Sequence, residues 1–480
     1  MERITFGNAI KMIAFFIIVV LLLNVLSAVF IPKQEKSMSK YNGKLTHFDL
    51  FYEEPRNSLD VIFLGSSHIY SGISPIEMWN TYGVAGYNCT SSSQCAYKSY
   101  RFLLDIFKRQ KPKVVIFDLL SLFIDETNDE ISNRSALNYM TFSPNFLTTV
   151  HHSLNKKNGE TIESYIFPIL RYHSRWEELS SVDFDIKKQR DCSKGYDMRY
   201  GTKCMVKLTE DKFSFLKEQP TDKTAGIVEK SAGYIQNMVE LCRQNGAQMV
   251  FIKTPVSDYT HEKGNAMQKF ADECGVKLID YNRKWDELGL DYKVDFLDTV
   301  HLNLNGAKKL TKCLGKTLVD DFGMPDHRGE AEYDSWDQDY SMYQAELAAL
   351  ELQDCSELSR YLQLLENQDY VLLYTGNVSY VDNSVKDKLE LLPLEQAKTQ
   401  YGVLDINDKK ERVHYAGNGK MRYDIGDVRC EINTENNYKI RLLGENVVQG
   451  EDGFYLTVFD KKLNMVADVI KISNGQIQRE

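Results

Sequence analysis

Two hydroxyls and an imidazole follow a glycine in Gly65-Ser66-Ser67-His68, and far along the chain a carboxylate and an imidazole stand three apart in Asp298-Thr299-Val300-His301. A serine becomes a nucleophile when an imidazole accepts its proton and a carboxylate orients that imidazole. The Asp298 to His301 spacing lets one short loop offer both groups, so acyl transfer through a serine is the chemistry these residue types suggest. The competing reading needs no chemistry: the serines make a hydrogen-bonded turn and His301 caps a helix.

Both sets sit where an α/β unit would position them. Val61-Ile62-Phe63-Leu64 is a continuous apolar run, which predicts a strand buried on both faces of a parallel sheet. Gly65 permits a tight turn at its carboxyl end, where open α/β sheets bind ligands. Further strands are expected at Gly86–Thr90, Lys113–Leu119, Gln248–Ile252 and Val276–Asp280. Between them, helices are expected at Ile76–Tyr82, Ala96–Arg109, around Ile227–Cys242 and at Ala266–Cys274. Leu302–Ala307 is a helix entry, and Gly306–Phe322 closes a three-layer sandwich.

G-S-S-H after a first strand, with D-x-x-H before a last helix, resembles the SGNH/GDSL hydrolase superfamily over roughly residues 58–322. That resemblance implies a flavodoxin-like three-layer fold, with Ser67 as nucleophile, His301 as general base and Asp298 orienting it. Ser66 occupies the position where the family usually has aspartate. Thr90 stands nearest the family's oxyanion glycine, with Asn88 and Gln94 as candidate side-chain donors; a turn and N-cap role for those two is the other reading. His68 is taken as a substrate contact. One departure is plain: Asp118-Leu119-Leu120-Ser121 stands where the family has G-x-N-D, so the expected oxyanion asparagine is missing. Branches similar to the alginate O-acetyltransferases and the D-alanyl-lipoteichoic acid transfer protein also lack it. Likeness to those implies a membrane-anchored O-acyltransferase or esterase working outside the cytoplasm on a cell-envelope polymer, with a membrane-bound O-acyltransferase partner as acyl source.

Composition and the rest of the chain bound this picture. At 480 residues and 43% hydrophobic, the protein can bury more than one core. A net charge of −10 argues against nucleic acid as a partner. Nine scattered cysteines form no metal pattern, though Cys192 and Cys204 would pair in an oxidising compartment. Neither a metal nor another cofactor is expected, since the adjacent His151 and His152 do not face one ion.

Met12–Ile31 is free of charge and matches a bilayer at ~1.5 Å per residue, which predicts a signal anchor over residues 1–32 in contact with lipid. Cleavage after Ala28 is the alternative, and the lysines on both flanks leave orientation open. Residues 33–57 are expected to be a stalk, 125–224 an insertion, 323–339 a charged linker and 340–480 an α+β binding domain. Within the insertion, Tyr172, His173, Arg175 and Trp176 could stack on sugars or pair with anions, or simply pack on the sheet. A protein of another class also fits: a non-catalytic glycan-binding or assembly protein on a decayed hydrolase fold.

Overall fold

The computed structural model describes residues 6–32, 48–126, 129–155, 159–179, 181–184, 192–198, 201, 207–408, 412–442 and 444–479. They divide into two compact units, one reaching to Tyr340 and the other running from Ser341 to the carboxyl end. Cys204 lies outside the described residues, and with it the expected Cys192–Cys204 pairing.

The first unit is organised on a five-stranded parallel sheet of order β2-β1-β3-β4-β5. Its strands are β1 (Val61–Gly65), β2 (Gly86–Thr90), β3 (Val114–Asp118), β4 (Gln248–Lys253) and β5 (Lys277–Asp280). The three strands β1 to β3 are buried along their whole length, so the sheet must be covered on both faces. The helix Ala96–Ile106 packs beside Glu229–Gln244, and Pro75–Tyr82 packs beside Leu304–Phe322. This is the expected α/β sandwich, in the doubly wound, flavodoxin-like strand order. The order reverses between β1 and β3, and that crevice is where such sheets place ligands.

Two stretches expected to be connectors fold onto this unit instead. Of the stalk, residues 48–57 are described: Phe51 is fully buried with its ring edge-on to Tyr87 at 5.8 Å, and Glu54 pairs with Lys194 at 2.7 Å. Of the linker, His327 Nε2 lies 2.9 Å from Asp60 Oδ2, and Trp336 packs on Trp79 with centroids 5.1 Å apart. Both were misread for one reason. Charged residues look like solvated chain in a sequence, but here Glu54 and His327 are paired, and Phe51 and Trp336 are buried.

Among the described residues one helix, α1 (Phe6–Phe30), is long and apolar enough to cross a membrane. It begins before the expected span and ends one residue short of it.

The second unit is an antiparallel sandwich. A six-stranded sheet of order β15-β14-β13-β6-β7-β8 faces a four-stranded sheet of order β12-β11-β10-β9. In chain order these are β6 (Tyr370–Asn377), β7 (Thr399–Asp405), β8 (Arg412–Ala416), β9 (Lys420–Ile425), β10 (Val428–Asn433), β11 (Tyr438–Leu442), β12 (Glu445–Gly450), β13 (Phe454–Asp460), β14 (Met465–Ser473) and β15 (Gln476–Gln478). Alternation explains the two cores. Along β6, Val371 and Leu373 point into the sandwich, while Leu372 and Tyr374 meet Leu358, Tyr361 and Val385 of the flanking helices. Ahead of the strands run the helices Asp334–Asp354 and Leu358–Leu364.

Candidate active site

Ser67 opens the helix Ser67–Gly72, directly beyond the turn that ends β1. Gly65 makes that turn with φ +153°, and a Cβ there would stand 2.6 Å from Ile69 Cγ1. A side chain is therefore excluded by both backbone and space. Gly65→Ala is expected to destabilise the first unit by ~2 kcal/mol and to displace Ser67, read as a lower urea midpoint together with slower labelling of the serine. An unchanged midpoint would refute this account of the turn.

The loop that carries His301 is pinned at its base. Phe296 and Leu302 bridge antiparallel, and Asn303 N–H donates to Asp295 O at 3.0 Å. Asn303 Oδ1 then caps the helix Leu304–Phe322 by accepting from Asn305 N and Gly306 N at 3.0 and 3.2 Å. Gly306 is required for this closeness, because a Cβ would meet Asp295 O at 2.3 Å. From the neighbouring strand exit, Ser257 N–H donates to Thr299 O at 2.9 Å.

The result brings together the three residues that the sequence singled out. His301 Nε2 lies 2.8 Å from Ser67 Oγ, and His301 Nδ1 lies 2.9 Å from Asp298 Oδ2. Asp298 Oδ1 also accepts the backbone N–H groups of Val300 and His301 at 2.8 and 2.9 Å. Partial burial alone would raise the Asp298 pKa. The His301 hydrogen bond and these two N–H groups outweigh it and hold the carboxyl below its ordinary value. The carboxylate is thus ionised at neutral pH and fixes the imidazole with its proton on Nδ1, leaving Nε2 to accept from the serine.

Beside these lies a second, buried cluster. His68 is packed edge-on to His301 with ring centroids 5.6 Å apart. Lys253, at the end of β4, approaches His68 Nδ1 at 3.4 Å and Asp118 Oδ2, at the end of β3, at 3.6 Å. An ammonium only donates, so His68 accepts at Nδ1 and carries its proton on Nε2. Burial, reinforced by the Lys253 charge, pushes the His68 pKa down to about 3, so this imidazole is neutral. Asp118 is held below the ordinary carboxyl value: burial opposes this, but Lys253, His68 and the N–H groups of Thr254 and Leu120 prevail. Sequence reasoning did not single out Asp118 and Lys253 as a pair. A signal was present, since each is a charge closing an otherwise apolar strand at the carboxyl edge of the sheet. Next to Lys253 is a cavity of about 200 Å³ with Leu120, Phe123, Val256, Tyr259 and Met267 in its wall.

The remaining expected contacts lie elsewhere or are already engaged. Thr90 ends β2 in register with Gly65. The Asn88 amide donates to Ile73 O at 2.8 Å and Gly195 O at 3.2 Å, and the Gln94 amide donates to Cys89 O and Ser99 Oγ at 3.3 and 3.0 Å. Those donors hold the fold together around β2. Tyr172 accepts from Asn138 Nδ2 at 3.3 Å, His173 Nδ1 is 3.2 Å from Leu170 O, and Arg175 reaches Phe30 O at 2.7 Å. Trp176 is 65% exposed. Every contact described for these last four is with the insertion or with α1.

Strand order, the serine at the end of β1 and the histidine loop before the last helix define the class: a doubly wound α/β unit with a serine, a histidine and an aspartate brought together at the carboxyl edge of its sheet. No family model and no curated relative matches the chain. Among solved structures it is similar to a protein assigned as an acylhydrolase from Bacteroides fragilis, at 10% identity over 59% of this chain and 94% of that one, with a TM-score of 0.25. It is similar also to a GDSL-like lipase from Bacteroides thetaiotaomicron, at 12% identity over 54% of this chain and 88% of that one, with a TM-score of 0.24.

Proposed function

We propose that the protein is a serine acyl-transfer enzyme, an O-acyltransferase or esterase, held at a membrane by α1 and acting on a cell-envelope polymer outside the cytoplasm. The observation that carries the reading is the unbroken chain from Ser67 Oγ through His301 to Asp298, at 2.8 and 2.9 Å. As Ser67 Oγ attacks an ester carbonyl, His301 Nε2 takes its proton, and the imidazolium so formed is stabilised by Asp298. The tetrahedral oxyanion is met by the backbone N–H of Ser67 and one from the chain at Thr90. His301 returns the proton to the leaving alcohol, and a second hydroxyl then takes the acyl group by the reverse path. In the cavity beside Lys253, Leu120, Phe123, Val256 and Met267 offer an apolar wall, with Asp258 and Lys263 also lining it, and that wall suits the tail of a short acyl group. A polymer hydroxyl as second nucleophile makes the protein a transferase, and water makes it an esterase.

The test is covalent labelling of the full chain with a fluorophosphonate. Wild type is expected to label and Ser67→Ala to remain unlabelled. Equal labelling of the two would remove Ser67 as nucleophile, and no labelling of wild type would favour the glycan-binding alternative. Offering polymer and water together to the acylated protein then separates transferase from esterase.

A further inference from the structure

We propose that residues 169–179, together with Asp183 and Phe184, form a membrane seat: they rest in the interfacial layer of the bilayer that α1 crosses and hold the α/β unit against that surface. The proposal rests on the reading of α1 as a spanning anchor and says where on the protein the lipid surface lies.

The first observation is where α1 stops being bare. Phe6, Phe15, Leu21 and Val25 are 84%, 63%, 59% and 51% exposed, whereas Ser27 and Val29 are 5% and 7% exposed. The bare stretch ends at Leu26, and its charge-free part, from Met12, lies within the span that the sequence predicts. What covers the last turn is this segment. Ile169 N–H donates to Ser27 Oγ at 3.2 Å, and Arg175 Nη1 donates to the Phe30 carbonyl at 2.7 Å. The last carbonyls of a helix lack partners within it, so Arg175 serves as the carboxyl cap of α1. Arg175 is itself steadied by Asp183 at 3.2 Å. A segment hydrogen-bonded to the turn where a spanning helix leaves the bilayer is confined to interfacial depth.

The second observation is what the segment shows to its surroundings. Leu170, Trp176 and Phe184 are 50%, 65% and 64% exposed. Indole rings favour the headgroup boundary, where the ring is buried and the N–H stays wet. Charge plays the smaller part, because Arg171 is paired with Glu130 at 2.6 Å and Arg175 with Asp183. Attachment is therefore through apolar and aromatic groups and does not need anionic lipid. The aromatic and cationic composition that suited a polymer groove is accounted for by the lipid boundary.

The chain's tryptophans are Trp79, Trp176, Trp285 and Trp336, and α1 contains none, so tryptophan emission reports on the seat. The experiment reconstitutes the full chain in phosphatidylcholine vesicles and in vesicles of the same lipid brominated near the top of its acyl chains. Bromine is expected to quench wild-type emission and to leave Trp176→Phe unquenched, with both proteins melting at the same temperature. Equal wild-type emission in the two lipids, from a chain that resists alkaline extraction, would overturn the seat and leave the anchor standing. Quenching that persists in Trp176→Phe would overturn it too. A chain extracted by alkali refutes the anchor, and the seat falls with it.

Discussion

Asp298→Asn is expected to lower turnover of a reactive ester by ~10⁴-fold, equivalent to about 5.5 kcal/mol of transition-state stabilisation. The carboxylate takes its largest favourable contribution from His301, and its other oxygen is satisfied by the N–H groups of Val300 and His301. Asparagine can keep those two backbone bonds through its carbonyl, so the loop stays folded. Its NH2 group then faces His301 Nδ1, which must accept instead of donate, and the ring proton moves to Nε2. Nε2 can no longer take the Ser67 proton across the 2.8 Å contact. His301→Ala removes the base and is expected to cost more, ~10⁶-fold, with Ser67→Ala and the double variant falling to the same floor because the residues act as one unit. Steady-state hydrolysis of a nitrophenyl ester measures all four. Turnover by Asp298→Asn within tenfold of wild type would mean that the three groups are neighbours without being a catalytic unit.

The elements that place this constellation were legible because each is written in adjacent residues. Val61–Leu64 and Val114–Phe117 have no polar face, so they can only be interior strands, and the Gly65 turn and the Asp298–His301 spacing are local features. What stayed hidden depends on partners brought together from distant positions. Lys253 looks like an ordinary strand end until β3 and β4 pair and set it beside Asp118 and His68. Asn88 and Gln94 have the right chemistry for oxyanion donors, but only the folded chain reveals that carbonyls of Ile73, Gly195 and Cys89 already take their protons. In the second unit β6 and β13 are nearly continuous apolar runs. By contrast β9 and β10, Lys-Met-Arg-Tyr-Asp-Ile and Val-Arg-Cys-Glu-Ile-Asn, hide one buried face behind alternating charges. Residues 169–175 show the limit most clearly, since nothing in their own sequence reveals that Ile169 and Arg175 hydrogen-bond Ser27 and Phe30 of α1.

His68 gives the first unit a stability that declines as the solution is acidified through the weakly acid range. An exposed histidine in the unfolded chain gains its proton near pH 6.5, whereas burial and the neighbouring Lys253 keep the folded His68 neutral down to about 3. Between those values the unfolded state binds one proton more, so stability rises with pH, and acidification favours unfolding by about 1.4 kcal/mol per pH unit. From pH 6.5 to pH 5 the loss is therefore ~2 kcal/mol. The other charges facing His68 do not supply this slope. Asp118 is depressed below the ordinary carboxyl value, so its contribution is lost only at lower pH, and Asp298 behaves in the same way. His68→Gln keeps a polar group that can accept from Lys253 and removes the titration. Urea midpoints of the full-length wild type and variant, followed across this range, are expected to converge as pH falls. Curves that stay parallel from pH 7.5 to 5 would mean that His68 takes up its proton as readily in the folded protein as in the unfolded chain. Lys253, Asp118 and His68 would then form a different charge pattern beside the serine from the one described.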